Sequence, residues 1–353
     1  MVTGPPFTRP LHRIVVTGGS GVLGGNLLRR LGGDGWQVHG VDLSPPPVAP
    51  DDAHDHTVAD VRDVAAMSRV LAGADAVVHC ASALPSYPPG EIHSVIVDGT
   101  RAVLSAARDR GVRHVVHIST TAVYGLPAVV PTTEEYPRDP VDVYGLAKAA
   151  AEQVCERFRD DGLCVSILRP KTFVGAGRMG LFAMLFEWAD EGRHFPVLGR
   201  GDVRIQMCAI EDLLDCITGV LAAEREVAND TYNVAATRFG TLREDFQAVL
   251  DAAGHGRRVV SVPAQPTVFL LRLLQRARLS PVYGRLLFKL LADSYVSTEK
   301  ARLRLGFEPQ LSNQEALLRA YASWRQRSAV PAAGRTSVQP WRQGVLRAAK
   351  VFF

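Results

Sequence analysis

Short apolar runs alternate with amphipathic stretches along the first half of the chain, and turn-forming residues separate them. Residues 13–17 (Arg-Ile-Val-Val-Thr) read as a buried strand, and the pattern behind them predicts an amphipathic helix through Leu31. A second strand is expected from Gln37 to Asp42, a Pro-rich loop over 45–50, and a third strand over Thr57–Val61 that ends on an acid. A helix over 63–72, a strand over Ala76–Ser82, a helix over 94–110 and a strand over 114–119 follow. Another Pro-rich loop then leads to a helix around Tyr144. Continuously apolar strands alternating with helices through Leu168 predict a parallel sheet covered on both faces. The fold class expected is α/β, a doubly wound parallel sheet with a smaller C-terminal region. The ligand should sit over the carboxyl ends of the strands.

The first strand runs straight into Gly18-Gly19-Ser20-Gly21-Val22-Leu23-Gly24 and then into a helix. Glycines at 18, 21 and 24 keep such a turn tight and let a pyrophosphate approach the amides of the helix N-terminus. The second strand ends on Asp42, 18 residues after Gly24, where a carboxylate can hold the ribose hydroxyls of NAD. Leu43 and Ser44 follow it and no Arg does, so a 2′-phosphate would be repelled without compensation. NAD is therefore the cofactor expected, in preference to NADP.

Tyr144 and Lys148 stand four apart in Tyr144-Gly145-Leu146-Ala147-Lys148, and so share one helix face. A phenol ionises near pH ~10, and a neighbouring ammonium stabilises its anion. Thr120 at the end of the preceding strand can hold a substrate oxygen beside it. Base, charge and positioning hydroxyl together suit proton transfer at a carbinol oxygen. A Tyr and a Lys at this spacing also occur by chance in many helices, and the glycine turn is what gives this pair weight. His79 reads as a hydrogen-bonded strand histidine. His54, Asp55 and His56 read as a solvated loop, and no metal site is expected.

The chain has 353 residues, enough for one large domain or two smaller ones. Its five cysteines form no CxxC pair and are odd in number, which suits reduced thiols in a cytoplasmic protein. The net charge of +4 lies in the tail: Arg335, Arg342, Arg347 and Lys350 face no acid after residue 330, and the body is neutral. Nucleic acid is not an expected partner. Residues 264–292 carry Arg272, Arg276, Arg278, Arg285 and Lys289 among leucines, read as two amphipathic helices with solvated basic faces. Residues 329–340 read as a linker. Trp341, Val345, Leu346, Ala349 and Phe353 follow at near-helical spacing, and this basic tail should dock on the body or a partner subunit, or else make weak contact with a membrane surface.

The order of these motifs is similar to that of the extended short-chain dehydrogenase/reductase superfamily, in its NAD-dependent epimerase/dehydratase branch. The resemblance rests on the glycine turn, Asp42, Asp60-Val61, His79-Cys80-Ala81-Ser82, Val97-Asp98-Gly99-Thr100, Ser119 to Gly125, Tyr144/Lys148 and Arg169-Pro170. It extends to Ile210-Glu211-Asp212-Leu213, Tyr232-Asn233-Val234 and Leu305-Gly306-Phe307-Glu308-Pro309, and so covers roughly residues 12–326. It implies a Rossmann domain over 12–170, to which segments near 203–235 return, a substrate-binding region over 171–328, and the linker and tail over 329–353. It further implies that Gly18, Gly21, Val22 and Leu23 hold the pyrophosphate, Asp42 the adenosine ribose, and Asp60 with Val61 the adenine. Cys80, Ala81 and Ser82 would line the nicotinamide half, Lys148 would bridge its ribose, and Pro170 would lie near the carboxamide. Tyr144 would be the acid/base and Thr120 its hydroxyl partner.

Several positions depart from the family pattern. Thr121 and Ala122 replace the Asp-Glu pair of the 4,6-dehydratases, so dehydration is not expected. Ile96 replaces a common Asn, Thr172 stands where nucleotide-sugar enzymes often have an Asn, and Ile205, with Arg204 beside it, replaces a phosphate-binding Arg. Thr120, Thr172 and Arg204 are the candidate substrate contacts. The function expected is an NAD-dependent epimerase acting at C4 of a nucleotide sugar through a transient ketone. The alternatives are a dehydrogenase or ketoreductase on an apolar alcohol, hydroxysteroid-dehydrogenase-like, and a non-catalytic NAD-binding module. A small-molecule substrate and a second copy of the chain, in a homodimer, are the expected partners.

Overall fold

The computed structural model describes residues 11–46, 55–177, 182–269 and 291–327. Its strands are β1 (Arg13–Thr17), β2 (Gln37–Asp42), β3 (Asp55–Val58), β4 (Ala76–His79), β5 (His114–Ile118) and β6 (Cys164–Pro170), then β7 (Phe173–Val174), β8 (Phe195–Leu198), β9 (Cys208–Ala209), β10 (Thr231–Val234) and β11 (Val259–Val262). Seven of them form one sheet in the order β10-β6-β5-β4-β1-β2-β3, and every pairing in it is parallel. The order reverses at β1, with β2 on one side and β4 on the other, which opens a crevice above their carboxyl ends.

Successive strand residues point to opposite faces, and both faces are covered. On one, Val15, Val77, Val115, Val165 and Ile167 pack with Met67, Val103 and Val154. These last three come from helices α2 (Val64–Val70), α4 (Gly99–Asp109) and α5 (Val143–Asp160); α1 (Val22–Gly33) precedes α2, and α3 (Pro89–His93) lies between α2 and α4. On the other face, Ile14, Val16, Val78, Val116 and Leu168 pack with Leu27 and Leu28 of α1 and with Leu213 and Ile217 of the helix Ile210–Ala222. A further core joins Phe186, Trp188, Phe195, Phe246, Leu250, Leu317 and Tyr321 in the C-terminal region. There β8 pairs with β11 and β7 with β9. Strand β10 leaves that region and joins the main sheet beside β6.

Element boundaries differ from the sequence pattern where a side chain captures the backbone. The third strand starts at Asp55 and stops at Val58, because the Asp60 carboxylate accepts from the Arg62 amide at 2.9 Å and turns the chain. β4 stops at His79; Cys80 still donates its amide to the Thr17 carbonyl, and the Ala81 amide is taken by the Thr17 side-chain Oγ1. The helix expected over 94–110 begins earlier, at Pro89, and reaches α4 through a wide turn over Ser94–Asp98. Residues 264–269 are helical, whereas the rest of the basic segment to 290 and the tail after 327 lie outside the described residues. No helix among the described residues is long and apolar enough to cross a membrane.

Helix α5 is fixed to the sheet by charge as well as by packing. Glu152 is fully buried and receives a two-pronged contact from Arg169 of β6, at 3.0 and 2.7 Å. Ser119 Oγ donates to the same carboxylate at 2.5 Å, and Arg138 adds a contact at 3.1 Å. Arg169 also donates to Tyr124 Oη at 2.8 Å, and that hydroxyl donates to Asn233 Oδ1 on β10 at 2.8 Å. Removing one partner of a buried pair strands the other charge, at a cost of about 3–5 kcal/mol. Arg169→Met should therefore lower the unfolding free energy obtained from urea titration by that amount. Adding Glu152→Gln should then cost less than the two single changes summed, and strict additivity would show that the contact carries no coupling.

Candidate functional site

The glycine turn after β1 has the shape a dinucleotide needs. Gly18 has φ of +73°, and a Cβ there would lie 2.8 Å from the Ala81 amide nitrogen. A Cβ on Gly24 would lie 2.1 Å from the Gly18 carbonyl oxygen. Both positions therefore exclude a side chain, and the backbone at Cys80-Ala81 comes directly against the turn. Helix α1 opens at Gly21 with no side-chain cap and no acid in its first turn. Its first amides, at Val22 and Leu23, are left for an anion. Asp42, at the end of β2, accepts from the Ser20 amide at 3.1 Å and is thereby held at the turn. Ser44 shares this corner, accepting through its carbonyl from Ser20 Oγ at 2.8 Å. Asp60 is gripped by Arg62, whose hydrogen bonds hold its carboxyl below the usual range. Val61 beside it is buried. Ser82 is exposed, while Cys80 and Ala81 are half-buried. These residues fit a dinucleotide.

The candidate proton-transfer group lies at the carboxyl end of β5. Thr120 follows that strand, and its Oγ1 accepts from the Ala122 amide at 3.2 Å, capping a short helical turn over Thr121–Tyr124. Helix α5 begins beside this turn. Asp142 caps it by accepting from the Gly145 amide at 2.6 Å, and a Cβ on Gly145 would meet the Ala122 carbonyl at 3.0 Å. The close approach brings Tyr144, half-buried, alongside the Thr120 segment. Lys148 is buried one turn on, donates to the Ile118 carbonyl at 2.9 Å, and stands 6.0 Å from the Tyr144 ring centre. Burial lowers its pKa to about 8. At neutral pH it still carries a proton and favours a phenolate nearby.

His79 lies beneath, bonded through Nδ1 to Thr17 Oγ1 at 2.7 Å and through Nε2 to Thr100 Oγ1 at 3.2 Å. Burial lowers its pKa to about 3, so it is neutral. His117 packs against it with ring centres 5.6 Å apart, and burial keeps that ring neutral too.

Next to the Thr121–Tyr124 turn, a small cleft is lined by Thr121, Tyr124, Thr132, Lys171, Ser294 and Tyr295, among others. Pro170 ends β6, buried beside Val234 of β10. Thr172 is exposed and is absent from that lining; its carbonyl accepts from the Cys208 amide at 3.1 Å. The residue before it, Lys171, reaches the cleft, because adjacent positions of an extended segment point opposite ways. Sequence reasoning passed over Lys171, although its place next to Arg169-Pro170 was the available signal. Arg204 is exposed, with its guanidinium 4.9 Å from the Phe239 ring centre and 5.4 Å from that of Tyr295. Glu152 was likewise not singled out, although it lies one helical turn past Lys148.

Residues 14–235 match the model of the NAD dependent epimerase/dehydratase family. An uncharacterized protein of Sinorhizobium fredii is 34% identical over 327 residues, covering 90% of this chain and 80% of that one. The 4-hydroxy-2-methyl-3-oxo-4-farnesyl-3,4-dihydroquinoline-1-oxide ketoreductase of Stigmatella aurantiaca is 27% identical, covering 86% of this chain and 94% of its own. The UDP-glucose 4-epimerase of Mycolicibacterium smegmatis is 28% identical over 90% of this chain and 99% of its own.

Two outcomes follow from this geometry. Asp42 beside the turn should make NAD bind more tightly than NADP, and Asp42→Ala should narrow the gap in a direct titration; tighter NADP binding by the parent protein would contradict this. Lys148 titrates near 8 when folded and near 10.5 when unfolded, so between those values the unfolded chain holds the extra proton. Its contribution to stability should therefore rise with pH across that window, by about 1.4 kcal/mol per pH unit. Comparing urea unfolding of the protein and Lys148→Met from pH 8 to 10 isolates this slope from the titration of the cysteines, and a flat difference would contradict it.

Proposed function

The chain belongs to the NAD-dependent epimerase/dehydratase family, and on that premise we propose that it is a nucleotide-sugar 4-epimerase working through a transient ketone. The observation that supports this reading is the polar lining of the small cleft at Thr121, which Thr121, Lys171 and Ser294 share, with Lys171 donating to Ser294 Oγ at 2.7 Å. The likeness to the mycobacterial UDP-glucose 4-epimerase agrees with it. NAD, when bound, supplies reversible hydride acceptance. Gly18, Gly21, Val22 and Leu23 would hold its pyrophosphate and Asp42 its ribose, with Asp60 and Val61 at the adenine. Cys80, Ala81, Ser82 and Pro170 would border the nicotinamide half.

The chain's own part is proton transfer and positioning. Thr120 orients the carbinol oxygen, and Tyr144 Oη removes its proton and later returns it. The Lys148 ammonium lowers the cost of the intervening phenolate. Tyr144 and Lys148 work as a unit because both ride on α5, whose N-terminus is capped by Asp142 and lies close against the Thr121–Tyr124 turn at Gly145. Thr121 and Ala122 place a hydroxyl and a methyl group where elimination of water needs an acid and a base. A second reading, net reduction of a ketone, is favoured by the likeness to the Stigmatella ketoreductase.

Incubating the NAD-loaded protein with UDP-glucose should yield UDP-galactose without accumulating NADH, and Tyr144→Phe should slow that conversion by about 100-fold or more. Net consumption of NADH with a ketone, and no interconversion of the sugars, would replace the epimerase reading with the second one.

A further inference from the structure

We propose that His79 is a positioning residue for the cofactor. Through one ring hydrogen and one ring lone pair, it passes the placement of α4 to the backbone of Cys80-Ala81-Ser82, the segment pressed against the glycine turn. This rests on the reading of that segment as the border of the nicotinamide half. It goes further by naming a group, buried behind the border, that sets it.

Thr17, His79 and His117 are register neighbours at the carboxyl ends of β1, β4 and β5, and Thr100 of α4 meets His79 from the covering layer. All four are buried. Buried polar atoms need partners, so the hydrogens here are placed by elimination. Thr100 Oγ1 lies 2.6 Å from the Ile96 carbonyl, one turn back, and a carbonyl can only accept. The hydroxyl proton points there, so Thr100 Oγ1 accepts from His79 Nε2, 3.2 Å away. Nε2 therefore carries the hydrogen of the neutral ring. Nδ1 is left with a lone pair and accepts from Thr17 Oγ1 at 2.7 Å. With its proton toward the ring, Thr17 Oγ1 turns a lone pair to the Ala81 amide at 3.3 Å. Amide, hydroxyl, imidazole, hydroxyl and carbonyl thus point one way, from Ala81 to Ile96, and every donor meets an acceptor. The opposite tautomer would aim two donors at Thr17 Oγ1 and orphan the Thr17 proton.

The line ends at the tightest contact of the cofactor wall. A Cβ on Gly18 would lie 2.8 Å from the Ala81 nitrogen and 2.9 Å from the Cys80 carbonyl carbon, so turn and segment touch through backbone alone. The Cys80 amide is held by the Thr17 carbonyl, as in a continuing strand. The Ala81 amide depends instead on a hydroxyl that the ring orients. At the far end, Ile96 belongs to the wide turn over Ser94–Asp98 from which α4 departs. His117 supplies an internal contrast. It packs against His79 with ring centres 5.6 Å apart and is equally buried, but neither of its ring nitrogens has a hydrogen-bond partner among the described residues. One of the two rings alone is tied to the backbone of the wall.

The test uses the full-length protein with isotopically labelled histidine. Magnetic resonance should find the His79 hydrogen on Nε2; a hydrogen on Nδ1 would overturn the proposal. Asn keeps an acceptor near the place of Nδ1, and Gln does not. In His79→Gln the Ala81 amide should exchange at least about 10-fold faster than in the parent, with Cys80 little changed, whereas His79→Asn should retain most of the protection. NAD should bind His79→Gln about 3- to 10-fold more weakly, the range that one net hydrogen bond supports, and His79→Asn within about 2-fold of the parent. ADP-ribose, which lacks nicotinamide, should bind all three alike. Equal losses for NAD and ADP-ribose, or equal NAD affinity in the Gln and Asn variants, would reduce His79 to a packing residue. His117→Phe should match the parent in each measurement, and a similar loss of NAD there would also contradict the proposal. Where His79→Gln does not fold, Thr100→Val removes the acceptor of Nε2 and keeps the shape; the same selective loss of NAD is expected, and no loss would overturn the proposal. A parent that binds neither NAD nor ADP-ribose would count against the cofactor reading, while the tautomer would still decide how the ring is bonded.

Discussion

The contact on which this structure most depends is the buried carboxylate of Glu152 against the Arg169 guanidinium. A carboxylate with no exposed surface is costly unless its oxygens are fully used. Here Ser119, Arg138 and Arg169 use them. These partners come from the end of β5, the loop before α5 and strand β6, so satisfying one charge fixes three segments at once. Arg169 extends the link through Tyr124 and Asn233 to β10. The chain that leaves the sheet after β6 is thereby tied back to it.

The site inherits this order. Thr120 is next to Ser119, Lys148 is one turn before Glu152 on the same helix face, and Pro170 and Lys171 follow Arg169 directly. Each candidate group therefore sits within a few residues of the buried pair, while none of them has to supply the holding energy. Lys148 can keep its bond to the Ile118 carbonyl and its partly depressed basicity because the helix beneath it cannot shift. The glycine turn is organised differently, by steric exclusion: Gly18 and Gly24 leave no room for side chains, so the backbone itself forms the wall.

Much of the dinucleotide half was legible in the sequence, because its determinants are local. A strand, a glycine turn, a helix and an acid at the end of the next strand follow within about 30 residues, the length of one strand–helix–strand unit. Gln37–Asp42 came out of the alternation with its exact limits, and α5 followed from the spacing of Tyr144 and Lys148. The proposed substrate side was legible only in part: Thr172 and Arg204 were read from their motif positions, and Lys171 was not. The cleft's parts, at 121–132, 171 and 294–296, are brought together only by tertiary contacts, with Ser294 bridged to Ile205. Thr172 drew attention through its motif position, whereas the extended backbone turns it outward and Lys171 inward. Glu152 was overlooked for a related reason: a Glu in a helix ordinarily faces water, and only Arg169, 17 residues on, explains its burial.

Hydrogen exchange on Glu152→Gln tests the central claim most directly. If the carboxylate holds α5 in place, amides of Lys148 to Cys155 should exchange at least about 10-fold faster than in the parent, while those of α4, as internal reference, change little. Equal protection of α5 in both proteins, or a uniform acceleration of α4 and α5 together, would contradict it.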